Sequence, residues 1–227
     1  PGRGRRVVSA GLLPDAPPAL QASPPTDDPV APLVPPSVPR RRAPLLRAIG
    51  RVGLRLYGWR VENAPPDLAR QVCVVAPHTS NWDFLVGLLT MAALDLRPRW
   101  LGKHTIFRPP VGAFFRALGG IPVRRSGGGA SAHEGSVGAI LEEMAREPAV
   151  FLTLAPEGTR GKTARWKSGY HVIAQAAGVP ITPSWIDWSR RVVGFGAPVS
   201  SDGPLEEVEA RLRAAFTREM ARRPDAY

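Results

Sequence analysis

Proline placement constrains this chain more than any other feature. Twelve of its 26 prolines fall in residues 1–44, among them the pairs Pro17-Pro18, Pro24-Pro25 and Pro35-Pro36. Each proline lacks a backbone N–H and fixes its own φ, so prolines at this density interrupt every possible helix there. The same stretch holds no aromatic residue; the first is Tyr57. A segment like this buries too little apolar area to offset the entropy of ordering it, which predicts a disordered tail over residues 1–40. Its basic start is not followed by the continuous apolar run of a signal peptide.

Beyond the tail the composition is that of a folded protein. Hydrophobic residues make up 44% of the 227 and charged residues 22%, enough for a sizeable core. The net charge of +11 calls for an anionic partner: nucleic acid, a phospholipid surface or a phosphorylated substrate. The excess is uneven. Residues 1–62 carry ten arginines against four acids, and the rest carries 20 basic residues against 15 acids. Only Lys103, Lys162 and Lys167 among the basic residues are lysines. The single cysteine, Cys73, excludes a disulfide framework and a cysteine-based zinc site. It falls inside an apolar strand, where packing is its role.

Residues 41–60 are expected to form a basic amphipathic helix. At 100° per residue, Leu45, Ile49, Val52, Leu56 and Trp59 share one arc, while Arg47, Arg51 and Arg55 recur every four residues on another side. Two readings follow. The helix lies on an anionic membrane with Arg47, Arg51, Arg55 and Trp59 as contacts, or it packs its apolar stripe on the domain and leaves the arginines in water. No apolar run is long enough for a transmembrane helix; Phe84 to Leu94 comes nearest and is expected to be a core helix.

Residues 61–227 alternate between strand and helix patterns. Strands are predicted at 71–76, 99–102, 121–123, 150–154, 180–186 and 192–195. Helices are predicted at 82–94, 111–118, 133–146, 168–177 and 205–222. This alternation gives an α/β fold with a mixed, largely parallel sheet flanked by helices.

Two strand ends carry the candidate chemistry, as expected for the carboxyl edge of a parallel sheet. The first is Pro77-His78-Thr79-Ser80-Asn81-Trp82-Asp83. Five residues on one helix would separate His78 from Asp83 by about 140°. With His78 in the turn before the helix, however, Asp83 can orient the imidazole as a base. Backbone N–H groups at this turn are candidates for stabilising an oxyanion. The second strand end is Pro156-Glu157-Gly158-Thr159-Arg160, whose glycine admits a close backbone approach and whose arginine suits a phosphate.

Together these blocks resemble the glycerolipid acyltransferase family, typified by the lysophosphatidic acid acyltransferases. His78 to Asp83 is similar to its HxxxxD signature, and Glu157 to Arg160 to its EGTR block. Gly120 to Arg125 resembles the block that ends in an arginine, and Val179 to Pro183 the final apolar-proline block. The resemblance covers residues 60–200. Arg124 departs from it, standing where an acidic or small polar residue is common. The resemblance implies the fold of that family for 61–227, and His78 and Asp83 as the catalytic pair. It also implies Arg125, Glu157, Gly158, Thr159 and Arg160 as acceptor-binding residues. Lys103, Lys162 and Lys167 become possible donor or head-group contacts. The implied reaction moves a fatty acyl group from acyl-CoA or acyl carrier protein to the hydroxyl of a lysophospholipid, first 1-acyl-sn-glycerol 3-phosphate. Another lysolipid, a glycolipid or an amino-acid lipid is the alternative acceptor. No cofactor, metal or covalent acyl-enzyme is called for, and the chain holds no G-x-S-x-G elbow. The expected location is the cytoplasmic face of the cell membrane, as a peripheral or monotopic protein.

Other classes fit less well. Gly158 to Thr163 superficially resembles a P-loop, but Pro156 occupies the position of its first glycine. A nucleic-acid-binding module would place its basic residues on a recognition helix or an aromatic sheet, and here they sit in the tail and the first helix. A catalytically dead scaffold would not need both His78 and Asp83.

Overall fold

The computed structural model describes residue 30, residues 32–123 and residues 130–227, and of residues 130–136 the backbone alone. Its centre is a sheet of β1 (Arg60–Val61), β2 (Arg70–Ala76), β3 (Pro98–Lys103), β4 (Gly120–Val123), β5 (Val150–Leu154), β6 (Ile181–Asp187) and β7 (Val192–Phe195). The strand order is β1-β7-β6-β2-β5-β3-β4. Every neighbouring pair is parallel except β6 and β7. These two are joined by a short turn, which only antiparallel strands allow. The largely parallel α/β fold expected from the alternation is the fold observed.

Among the described residues the α-helices are α1 (Pro44–Tyr57), α2 (Asn81–Ala93), α3 (Gly112–Ala117), α4 (Ala130–Arg146), α5 (Gly169–Ala177) and α6 (Leu205–Arg213). Successive strand residues face opposite sides of the sheet, so β2 sends Val72, Val74 and Ala76 to one core and Cys73 to the other. The first core takes Ile140 and Met144 of α4, Tyr170 and Ile173 of α5, and Val208 and Leu212 of α6. The second takes Leu54 of α1 and Val86 and Ala93 of α2. Cys73 is fully buried there, and burial pushes its thiol up to about 12, so it stays a packing residue.

The boundary of the expected tail moves. Residues 1–29 and 31 lie outside the described residues, but Val30, Val34 and Val38 are buried in the second core beside Leu54, Trp59 and Leu96. The backbone from 39 to 43 is tied to residues 95–97: Arg97 N–H donates to Pro39 O, Arg41 N–H to Asp95 O, and Ala43 N–H to Asp95 Oδ1. Three valines spaced among prolines thus cover apolar surface without forming helix or strand. Proline forbids regular structure here, but it does not forbid burial.

Helix α1 does not pack its apolar stripe on the domain. Leu45 is 75% exposed and Leu56 86%, with Ile49 and Val52 also turned to solvent. What packs on α2 is a second face, with Gly50 and Leu54 buried. A Cβ on Gly50 would meet the Ala92 side chain at 2.8 Å, and one on Gly53 would meet Leu89 at 2.7 Å. The glycines that weaken the helix in isolation therefore let its backbone lie against α2. Trp59 is a correction: it is only 2% exposed. The helix ends at Tyr57, and Gly58 adopts φ 71° as the left-handed cap. The turn carries Trp59 inward to Trp188, whose ring centroid is 4.9 Å away. Among the described residues no helix is long and apolar enough to cross a membrane.

The last predicted helix is also shorter than expected. It stops at Arg213 instead of Arg222. Phe216 turns into the core against Trp166, 5.7 Å between centroids, and Trp188 N–H donates to Met220 O. These contacts draw residues 214–223 back toward the edge of the sheet. The N-terminal boundary can be tested at Val38: Val38→Ala should lower the unfolding free energy by about 2 kcal/mol, as in any core. An unchanged denaturation midpoint would return this segment to the tail.

Candidate active site

The strand order places β2 beside β5, so the turn after Ala76 and the turn after Leu154 meet at the carboxyl edge of the sheet. His78 lies in the first turn, two residues before Ser80, the N-cap of α2. Asp83 is the third residue of that helix and closes a capping box: Ser80 N–H donates to Asp83 Oδ2 at 2.7 Å. The Oδ2 atom also lies 3.6 Å from His78 Nδ1, and the Asp83 side chain is fully buried while His78 stays partly open. The expected pairing of His78 in the turn with Asp83 on the helix is the geometry found. Trp188 completes it, its indole Nε1 donating to Asp83 Oδ1 at 2.7 Å. Two donors therefore fix the buried carboxylate on the Nδ1 side of the ring.

Glu157 comes from the facing turn but looks inward. It is 4% exposed, and its carboxylate accepts the His78 backbone N–H at 3.0 and 3.2 Å. It braces the turn that carries His78 and does not face solvent where an acceptor would lie. Burial pushes the Glu157 carboxyl up to about 7; the Asp83 charge adds to this, while the His78 N–H and Arg213 oppose it. Three of the turn amides proposed for an oxyanion are engaged. His78 N–H goes to Glu157, Ser80 N–H to Asp83 and Trp82 N–H to Ser80 Oγ.

Gly158 takes φ 64°, where a side chain is strained, and the Lys167 methylenes occupy the space a Cβ would need, 2.8 Å away. Lys167 N–H also donates to Pro156 O, so that lysine covers the EGTR turn. Thr159 Oγ1 accepts the Gly161 N–H. Thr159, Arg160 and Lys162 are exposed, as is Lys103 at the end of β3, two strands from β2. Arg125 and the glycine loop after it lie outside the described residues. On α1, Arg47 and Arg55 are exposed, while Arg51 Nε reaches Ala93 O at 3.5 Å. His171 is buried on α5, with Nε2 3.2 Å from Gly203 O.

Three contributors escape sequence reasoning. Trp188 follows β6, and Arg222 and Arg223 come from the segment that leaves α6 early. Arg223 donates to Thr79 O through Nε and to Arg160 O through Nη2, joining the two motif turns. Arg222 Nη1 donates to Ser80 Oγ at 3.0 Å. Ser80, Asn81, Trp82, Arg160, Arg222 and Arg223 line a polar cleft of about 640 Å³. Trp82 also borders an apolar groove of about 300 Å³ between α1 and α2, with Gly53, Leu56, Tyr57, Leu85 and Leu89. Among the described residues no group of three or more His, Cys, Asp or Glu side chains is placed to hold a metal ion. The arrangement is suited to general-base chemistry on a neutral hydroxyl next to a cationic cleft.

A family model described as Acyltransferase matches residues 60–187. Among solved structures, the chain is similar to the 1-acyl-sn-glycerophosphate (LPA) acyltransferase PlsC from Thermotoga maritima. The sequences are 21% identical, the match covers 76% of this chain and 77% of that one, and the TM-score is 0.52. At that identity the likeness concerns the fold. No curated protein matches the chain.

The buried Glu157 gives a pH signature. A carboxyl raised by folding binds its proton more tightly in the folded state, so its charge destabilises the fold as pH climbs from about 4.5 to 7. Glu157→Gln keeps an oxygen for the His78 N–H and removes the titration. Its melting temperature should gain on the wild type progressively between pH 5 and pH 7.5, read by thermal unfolding. A constant offset across that range would refute the assignment.

Proposed function

The chain belongs to the acyltransferase family, and on that premise we propose that it transfers a fatty acyl group from an acyl thioester to the free hydroxyl of a lysophospholipid. The donor is acyl-CoA or acyl-acyl carrier protein. The first acceptor to test is 1-acyl-sn-glycerol 3-phosphate, giving phosphatidic acid. The observation that carries this reading is the His78–Asp83 pair, with Asp83 buried, doubly hydrogen-bonded and facing Nδ1. Asp83 on that side leaves Nε2 to take the acceptor proton. The acceptor oxygen attacks the thioester carbonyl carbon while His78 takes its proton. The C–S bond then breaks, and the imidazolium returns the proton to the departing thiolate. The 3.6 Å separation of Nδ1 and Oδ2 closes to hydrogen-bond length as the ring becomes charged. Thr159 and Arg160 are assigned to acceptor head-group contacts, Arg160 bordering the cleft, and Lys103, Lys162 and Lys167 to donor or head-group contacts.

We assign α1 to the membrane interface and residues from 60 onward to the catalytic domain. The outward stripe of Leu45, Ile49, Val52 and Leu56, flanked by exposed Arg55, supports a peripheral position on an anionic surface. The cytoplasmic leaflet supplies both that charge and the thioester donors. No cofactor is required.

His78→Ala should lower kcat by about 10³-fold in an assay of purified protein with a panel of lysolipids and both donor types, with the melting temperature unchanged. Turnover at the wild-type rate would sink the mechanism. The double substitution Ile49→Asp and Leu56→Asp should weaken sedimentation with phosphatidylglycerol vesicles by at least about tenfold without destabilising the fold. Equal partitioning would remove α1 from the interface.

A further inference from the structure

We propose that Arg222 is a phosphate-binding residue, acting with Arg160 in the cleft over the start of α2. This deepens the acyltransferase reading and rests on it for the identity of the ligand. The two arginines are treated unlike their neighbour. Arg223 directs its guanidinium to the carbonyls of Thr79 and Arg160, so its donors hold the turns together. Arg222 makes one hydrogen bond, Nη1 to Ser80 Oγ, out of the five a guanidinium can donate. Among the described residues neither Arg222 nor Arg160 takes part in an ion pair. Among the described residues, two cations therefore border one cleft with no carboxylate at ion-pair distance from either.

The Arg222 guanidinium is also held in place. It lies 5.2 Å from the Trp82 ring centroid and 4.8 Å from that of Trp188. Contact with two indole rings fixes the plane of the fork and strips part of its water while leaving edge donors for an incoming anion. A planar fork of this kind matches a phosphate bidentately. The first turn of α2 ends in the same cleft and adds its positive dipole. Ser80 sits between the two functions: its Oγ accepts from Arg222, and its N–H holds the Asp83 carboxylate that faces His78. A phosphate held by Arg222 thus lies beside the reacting end of the site. It belongs to the acceptor, as a glycerol phosphate, or to the donor, as the phosphates of coenzyme A.

The full chain, its Arg222→Gln variant and its Arg222→Lys variant would be titrated with glycerol 3-phosphate, coenzyme A and, as the uncharged comparison, glycerol. Intrinsic tryptophan fluorescence is the readout, because Trp82 and Trp188 flank the guanidinium. A response to glycerol 3-phosphate places the acceptor phosphate there, and a response to coenzyme A alone places the donor's. In either case the midpoint should rise about tenfold in Arg222→Gln and less in Arg222→Lys, with glycerol silent. In transfer assays the KM of the same substrate should rise by the same factor. Wild-type midpoints in Arg222→Gln, or no response in the wild type, would overturn the proposal. So would a variant that lowers only the melting temperature, since that is the mark of a structural arginine. Phosphate binding without acyl transfer from any donor would instead fault the reaction assigned above and leave the site standing.

Discussion

The buried carboxylate of Asp83 is the constraint on which the site depends. A carboxylate that gives up water must find donors, and it finds two: the Ser80 N–H at 2.7 Å and the Trp188 indole at 2.7 Å. The first bond starts α2 in a fixed direction. The second brings the end of β6 against the turn after β2. What remains of its charge faces His78. One group therefore caps a helix, joins two strand ends and faces the His78 imidazole. These demands fix where the turn can lie, and the Glu157 bond to the His78 N–H holds the same turn from the other side. Two carboxylates near one imidazole would repel each other if both were charged. The Glu157 carboxyl is raised first by its burial, and the Asp83 charge adds to that.

The parts of this structure legible in the sequence are those governed by local rules. Alternation marked six of the seven strands to within about a residue, missing the two-residue β1, and the apolar runs ending in Pro77-His78 and Pro156-Glu157 marked the two turns that meet. Residue types at fixed spacing marked His78 and Asp83 as a pair that can meet, because a capping box and a strand end are short-range features. What stayed hidden depends on contacts across the chain. Trp59 lies on the apolar arc of α1 by angle, yet the left-handed Gly58 turns it inward. Gly50 and Gly53 look like helix-weakening residues until α2 is laid against them. Residues 30–40 carry prolines at the density of a tail, and no local rule says that three valines among them will be buried.

The end of α6 shows the same limit. Its apolar spacing continues through Ala215 and Phe216, so periodicity alone extends the helix. The chain leaves it because Phe216, Met220 and Ala221 find partners in the core and on the turn after β6. That departure delivers Arg222 and Arg223 to residues 79 and 80. In sequence the pair is two basic residues near an expected helix end, a common solvated pattern. Only the return of the chain gives them work in the site.

The bonds that complete the turn at 78–83 span 105 residues to Trp188, 142 from Ser80 to Arg222 and 144 from Thr79 to Arg223. Synthesis runs in one direction, and α1 with its exposed leucines is made early. At the pace of a ribosome, about 5–20 residues per second, the groups that orient Asp83 and close the cleft follow the catalytic turn only after several seconds. Contacts of such long separation also form late in folding. The exposed apolar stripe of α1 is thus made before the residues that close the turn around His78: Trp188, Arg222 and Arg223 all follow it in synthesis.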